Sequence, residues 1–162
     1  MRATIKTILP IAILALTAAS CSTGQTDDAA AAEEAAATLD ANTEAFLAQD
    51  LDAYMATVTE DVEFFNDAGA SHWVGGASMK SNMQAIFRIT DPDATEIIEQ
   101  FVSDDGAFGV ANVHWVGQNN YGNPFDLTYA QLMEFDDGLI SKLTMYWEDL
   151  DVWEQLSAQP SS

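Results

Sequence analysis

Near the C-terminus, Tyr146-Trp147-Glu148-Asp149-Leu150-Asp151-Val152-Trp153-Glu154-Gln155-Leu156 sets four carboxylates among three aromatic rings. Aromatic residues of a short strand belong in a core; an ionised carboxylate does not, because burying it unpaired is costly. The run reads as a strand-to-helix junction. Asp149 or Asp151 is then placed to cap the short terminal helix, where free amides and the helix dipole favour negative charge. Glu154 lies further along that helix, in solvent. Glu148 differs, because it belongs to the strand and by parity follows Tyr146 on one face. If that face lines a pocket, apolar neighbours suit Glu148 to general acid or base work. At a rim in water it is an ordinary surface acid.

Alternation along the other strands supplies candidate partners. In residues 125–135 the set Phe125, Leu127, Tyr129, Gln131, Met133 and Phe135 is the more apolar face. Tyr129 and Gln131 are then either the few polar groups of a small-molecule pocket or core-edge side chains with wet tips. His114, flanked by Val113 and Trp115, shares its face with Val110, Asn112 and Val116. It could serve as a general base or as a hydrogen-bonded strand histidine. Trp73, beside His72, lies near a strand end, and Asp67 falls in a turn where local hydrogen bonding is the simpler account. In the last strand, Ile140, Lys142, Thr144, Tyr146 and Glu148 are expected on one face, with Leu143, Met145 and Trp147 on the other. The candidate catalytic residues are therefore Glu148, His114 and Tyr129. The candidate ligand contacts are Tyr146, Gln131, Asn112 and Trp73.

Neither a metal site nor a cofactor is expected. His72 and His114 are too far apart for a short-spaced ligand motif, and Cys21 is the only cysteine. No glycine-rich phosphate loop precedes a helix and no Gly-x-Ser-x-Gly elbow occurs, which argues against nucleotide cofactors and serine hydrolysis.

The elements that must position these residues follow from periodicity and turn chemistry. From about Glu33 the pattern is helical, with Leu39, Thr43, Phe46 and Leu47 on one face. Asp50 is placed to cap a second, shorter helix carrying Leu51, Tyr54, Met55 and Val58. Short strands at 62–65 and 72–74 flank a turn, Gly75-Gly76 breaks the second, and a third helix presents Met79, Met83, Ile86 and Phe87. After Pro92 the chain is all strand. Asp105-Gly106 and Asp137-Gly138 each join two alternating apolar runs, a strong hairpin signal. Three helices followed by an antiparallel meander is an α+β layout, with helices on one face of a curved sheet.

The chain has 26 acidic residues and 5 basic ones, for a formal charge of −21. Such a surface repels nucleic acid, so no nucleic-acid partner is expected. Arg2 and Lys6 precede the apolar run ILPIAILAL at 8–16, which is too short to span a bilayer as a mature helix. Ala18-Ala19-Ser20 and Cys21 follow, and the whole resembles a bacterial lipoprotein signal. By that resemblance residues 1–20 are removed, taking two cations and moving the charge from −21 to −23. Cys21 becomes the lipidated first residue, and the membrane is met through that anchor alone. The destination is the bacterial cell envelope, facing the periplasm; because Ser22 rather than Asp follows Cys21, it is the outer membrane in a Gram-negative host. Residues 21–36 read as a tether, 37–157 as the single folded domain and 158–162 as a tail.

Four segments in order, AFLAQDLDAYMATVTEDVEFF (45–65), GGASMKSNMQAIF (75–87), FDDGLISKLTMYWE (135–148) and EDLDVWEQL (148–156), resemble the SnoaL-like branch of the NTF2-like superfamily. The resemblance implies a cone-shaped α+β barrel, three helices on a curved and mostly antiparallel sheet, whose mouth opens into an apolar pocket. It implies either a domain that binds a small apolar molecule or a cofactor-free cyclase, isomerase or hydratase. It also implies a homodimer through the exposed sheet face. Many members carry Asp where this chain has Glu148, which reaches one methylene further.

Overall fold

A computed structural model describes residues 23–67, 71–148 and 151–159. The cleavage site and Cys21 lie outside the described residues. The segment read as a tether is helical from Thr23 onward: α1 spans Thr23–Leu47. Its alanines are the best helix formers, and their small side chains let the helix run close against the sheet. A Cβ on Gly106 would stand 2.5 Å from the Ala31 backbone, and one on Gly138 2.5 Å from the Glu34 side chain. The folded unit therefore begins well before residue 37.

Asp50 caps α2 (Leu51–Met55), its carboxylate accepting from Ala53 N at 3.0 Å. Then come β1 (Val58–Asn66), β2 (Ser71–Val74), α3 (Gly76–Ile89), β3 (Thr90–Val102) and β4 (Phe108–Asn119). β5 (Pro124–Asp136), β6 (Leu139–Trp147) and α4 (Val152–Ser157) complete the chain. Asp151 precedes α4, but its side chain caps no amide; it accepts from Gln155 Nε2 at 3.3 Å instead.

The six strands form one sheet in the order β2-β1-β6-β5-β4-β3, antiparallel except for the parallel β1–β6 pair. The Asp137-Gly138 turn has φ of 46° and 74°, the two positive values a tight hairpin turn requires. This is the curved α+β architecture expected of the sequence. One face of the sheet packs on the helices through buried Val62, Phe64, Val113, Trp115, Leu127, Met133 and Leu143. A bulge corrects the expected parity of β6. Ile140 pairs with Phe135 while Lys142 pairs with Glu134. The extra residue puts Ile140 in the core with Leu143 and Met145, not on the face of Lys142.

Candidate functional site

Trp115 organises the interior. Its ring meets Phe125 at 4.6 Å, Phe46 at 5.4 Å, Trp147 at 6.4 Å and Tyr129 at 6.5 Å between centroids. Beside it lies a small cavity of about 20 Å³. The sheet supplies Phe64 and Asn66 from β1, Tyr129 from β5, and Met145 and Trp147 from β6. The helices close it with Phe46 of α1, Asn82, Met83 and Ile86 of α3, and Leu156 of α4.

The ends of the parallel pair are pinned at this cavity. Trp147 Nε1 donates to Asn66 Oδ1 at 2.9 Å, Trp147 N donates to Asp67 Oδ1 at 3.1 Å, and Asp67 N donates to Met145 O at 3.1 Å. Asp67 does bond backbone, as its position suggested, but across 80 residues of sequence rather than within its own turn. A second, smaller space of about 10 Å³ lies between α1 and the sheet, walled by Asn42, Thr43, Val113 and Gln131. It shares Phe46 and Tyr129 with the first.

Burial drives the Tyr129 hydroxyl far above the ordinary phenol range, and the nearby Tyr54 adds to that. Tyr54 is raised by burial too, partly offset by a hydrogen bond with Asn42. Both stay protonated at neutral pH. Wider surface grooves, such as that between Asp61, Glu63, Glu134 and Asp136, are open and acidic. Water suits them better than an apolar molecule.

The seven residues singled out from the sequence divide between the two faces. Tyr129 and Gln131 are buried inside, and Trp73 stacks on buried Phe64 at 5.1 Å. His114, Asn112, Tyr146 and Glu148 lie on the outer face. His114 Nε2 pairs with Asp126 Oδ1 at 2.6 Å, Tyr146 is 48% exposed, and Glu148 is exposed, engaged through its backbone N–H to Thr128 O at 3.0 Å. The expected meeting of Glu148, His114 and Tyr129 is therefore corrected: the sheet separates Tyr129 from the other two. The reason is strand parity. Trp147 takes the inward position at the end of β6, so Tyr146 and Glu148 on either side of it point outward. Sequence reasoning passed over Asn66, Trp115 and Trp147. The first was legible, since Val62, Phe64 and Asn66 continue one alternation past the point where the strand was ended.

A row of paired residues, four of them apolar, crosses all six strands on the outer face. Phe101 pairs with Val110, Val110 with Leu132, Leu132 with Thr144, Thr144 with Phe65, and Phe65 with His72. Phe101 is 57% and Leu132 38% exposed. In and beside the row, acids meet partners: Glu63 with His72 at 3.4 Å, Glu134 with Lys142 at 2.7 Å, and Asp126 with His114 at 2.6 Å.

The SnoaL-like domain family matches residues 39–143. Among solved structures, a protein from Pseudomonas putida KT2440 described as a candidate polyketide cyclase is 24% identical. It aligns over 75% of this chain and 96% of its own with a TM-score of 0.67. A Bacillus subtilis protein described as a candidate isomerase is 20% identical, with 78% and 95% covered and a TM-score of 0.69. An epoxide hydrolase of the LEH-like kind from M. tuberculosis is 19% identical, with 77% and 90% covered and a TM-score of 0.65. At these identities the likeness is one of fold. No curated protein matches the chain.

Proposed function

The chain belongs to the SnoaL-like domain family, and from that premise we propose that its cone cavity holds a small apolar ligand without turning it over. One observation carries the reading. Among the described residues lining the cavity there is no carboxylate, imidazole, amine or guanidinium; the polar groups are Asn66, Asn82, Tyr129 and the two indoles. General acid–base catalysis is most efficient with a pKa near the operating pH, and burial moves the Tyr129 hydroxyl further from it. An apolar wall with a few neutral polar groups suits retention of a ligand.

The descriptions of the structural neighbours favour a second reading, a cofactor-free enzyme of the cyclase, isomerase or hydratase kind using Glu148 with Tyr or His partners. The outward placement of Glu148 and His114 weighs against it.

The leader with Arg2, Lys6, the apolar run and Cys21 supports export and a lipid anchor at Cys21 on the periplasmic side of a bacterial envelope. The outer-face row, flanked by the Lys142–Glu134 ion pair, supports a homodimer through the sheet. In so acidic a chain it is a surface where two copies can meet with little repulsion.

Native mass spectrometry of the protein recovered from the detergent phase of its host reads these points together. The expected species is two acylated chains carrying a non-covalent ligand that leaves with its mass unchanged. Unacylated chains, monomers, or a ligand released chemically altered would each overturn the corresponding part.

A further inference from the structure

The first half of α1 meets one end of the sheet. Its Ala31 backbone lies against Gly106 in the β3–β4 turn, and the Glu34 side chain lies against Gly138 in the β5–β6 turn. Asp28, Ala29 and Ala32 line a groove with Asp104 and Asp105 of the first turn. Both turns therefore sit at the same end of the sheet as the start of α1. The β4–β5 turn at Gly122 is at the other end of β4, about 35 Å away at the rise of an extended strand.

This fixes how far the chain ahead of α1 can reach. α1 is helical from Thr23, so Thr23 stands about 8 Å along the helix from Asp28. Cys21 precedes Thr23 by two residues, which span at most about 7 Å. An acyl group on Cys21 is thus attached within about 15 Å of the residue that meets the β3–β4 turn. A flexible linker over 21–36 would instead let the domain present any side to a bilayer.

The end brought near suits that contact. Phe108 opens β4 and Leu139 opens β6, directly after the two turns. Both are large and apolar, yet they are 51% and 36% exposed. Neither belongs to the row that crosses the outer face. Apolar side chains exposed together at one end of a domain mark a contact surface. Asp104, Asp105, Asp136 and Asp137 are exposed in the same turns, and they repel a surface of anionic headgroups.

We propose that this end of the sheet rests on a bilayer of zwitterionic headgroups, with Phe108 and Leu139 seated at its interface. This rests on the reading that Cys21 carries a lipid anchor and adds which side of the domain faces the membrane. Two side chains alone would hold a bilayer weakly. Behind an anchor a weak contact suffices, because the encounter has become intramolecular.

The test sets the isotopically labelled, acylated protein from its host in phosphatidylcholine nanodiscs doped with a nitroxide-headgroup lipid and compares amide NMR signals. The Asp105, Phe108 and Gly138 signals are expected to be lost to broadening while those of Tyr121 and Gly122 persist. In the double variant Phe108→Ser/Leu139→Ser the protein stays on the disc and the lost signals return. Phosphatidylglycerol discs in dilute buffer are expected to restore them too, by repulsion of the acidic turns. Equal broadening at both ends of the sheet, or none in protein that stays on the disc, overturns the inference and leaves the anchor standing. So do unchanged losses in the double variant or on phosphatidylglycerol. Protein that carries no acyl group and does not join the disc overturns the anchor reading itself, and this inference with it.

Discussion

Gly106→Ala is expected to lower folding stability by about 2–5 kcal/mol, while Gly122→Ala costs only about 1 kcal/mol. Both glycines have positive φ, 69° and 79°, so both substitutions carry the conformational penalty of a left-handed backbone. Only Gly106 faces an obstacle. Its new Cβ would lie 2.5 Å from the Ala31 carbonyl carbon and oxygen, whereas at Gly122 the nearest atom is the Gln118 side-chain oxygen at 4.0 Å. Backbone cannot step aside as a flexible side chain can, so α1 must lift from the β3–β4 turn. Denaturant unfolding of the two variants makes the comparison. Equal losses would mean that the alanine-rich half of α1 does not dock there and behaves as the tether its composition suggested.

Asn119→Asp is expected to cost about 2–4 kcal/mol and to loosen α4 selectively. The Asn119 side chain is 3% exposed and all of its hydrogen-bonding capacity is used. Its Oδ1 accepts from Tyr121 N at 3.0 Å and Asn123 N at 3.1 Å, shaping the β4–β5 turn. Its Nδ2 donates to Gln155 O at 3.1 Å and Ala158 O at 3.0 Å, clasping the end of α4. Aspartate keeps the two acceptor contacts but turns a second oxygen, and a charge, toward those two carbonyls. Hydrogen exchange should then show the Gln155 amide, bonded to Asp151 O at 3.0 Å, losing protection ahead of the sheet. Because Leu156 of α4 is part of the cavity wall, ligand affinity falls with it. Unchanged stability and uniform protection would remove Asn119 from this role.

Local signals were legible in the sequence, and those that depend on distant partners were not. Asp50 announced its cap and Asp137-Gly138 its turn, because a residue and its immediate neighbours determine both. Alternation in β5 put Tyr129 and Gln131 on the inner face together. In β6 parity correctly joined Tyr146 with Glu148, but parity cannot say which of two faces is the core, and the bulge after Ile140 was invisible to it. The alanines of α1 read as a tether because the surface they pack on, the hairpin turn at Gly106, comes more than seventy residues later in the chain. Asn66 and the amide-donor role of Asn119 were overlooked for the same reason: the partners lie 81 and 36–39 residues away. A polar residue in an apolar strand shows its purpose only when the fold brings that partner to it.

Whether the space between α3, α4 and the sheet takes up a ligand is reported directly by the methionines. Met83 and Met145 line the cavity, whereas Met55 and Met133 belong to other parts of the core. With the methionine methyl groups isotopically labelled, NMR spectra are followed while α-methylstyrene is added to the wild-type protein. Saturable shifts of the Met83 and Met145 methyl signals are expected, with Met55 and Met133 unmoved. An absence of saturable change at Met83 and Met145, or a larger change at Met55, would contradict a ligand site there.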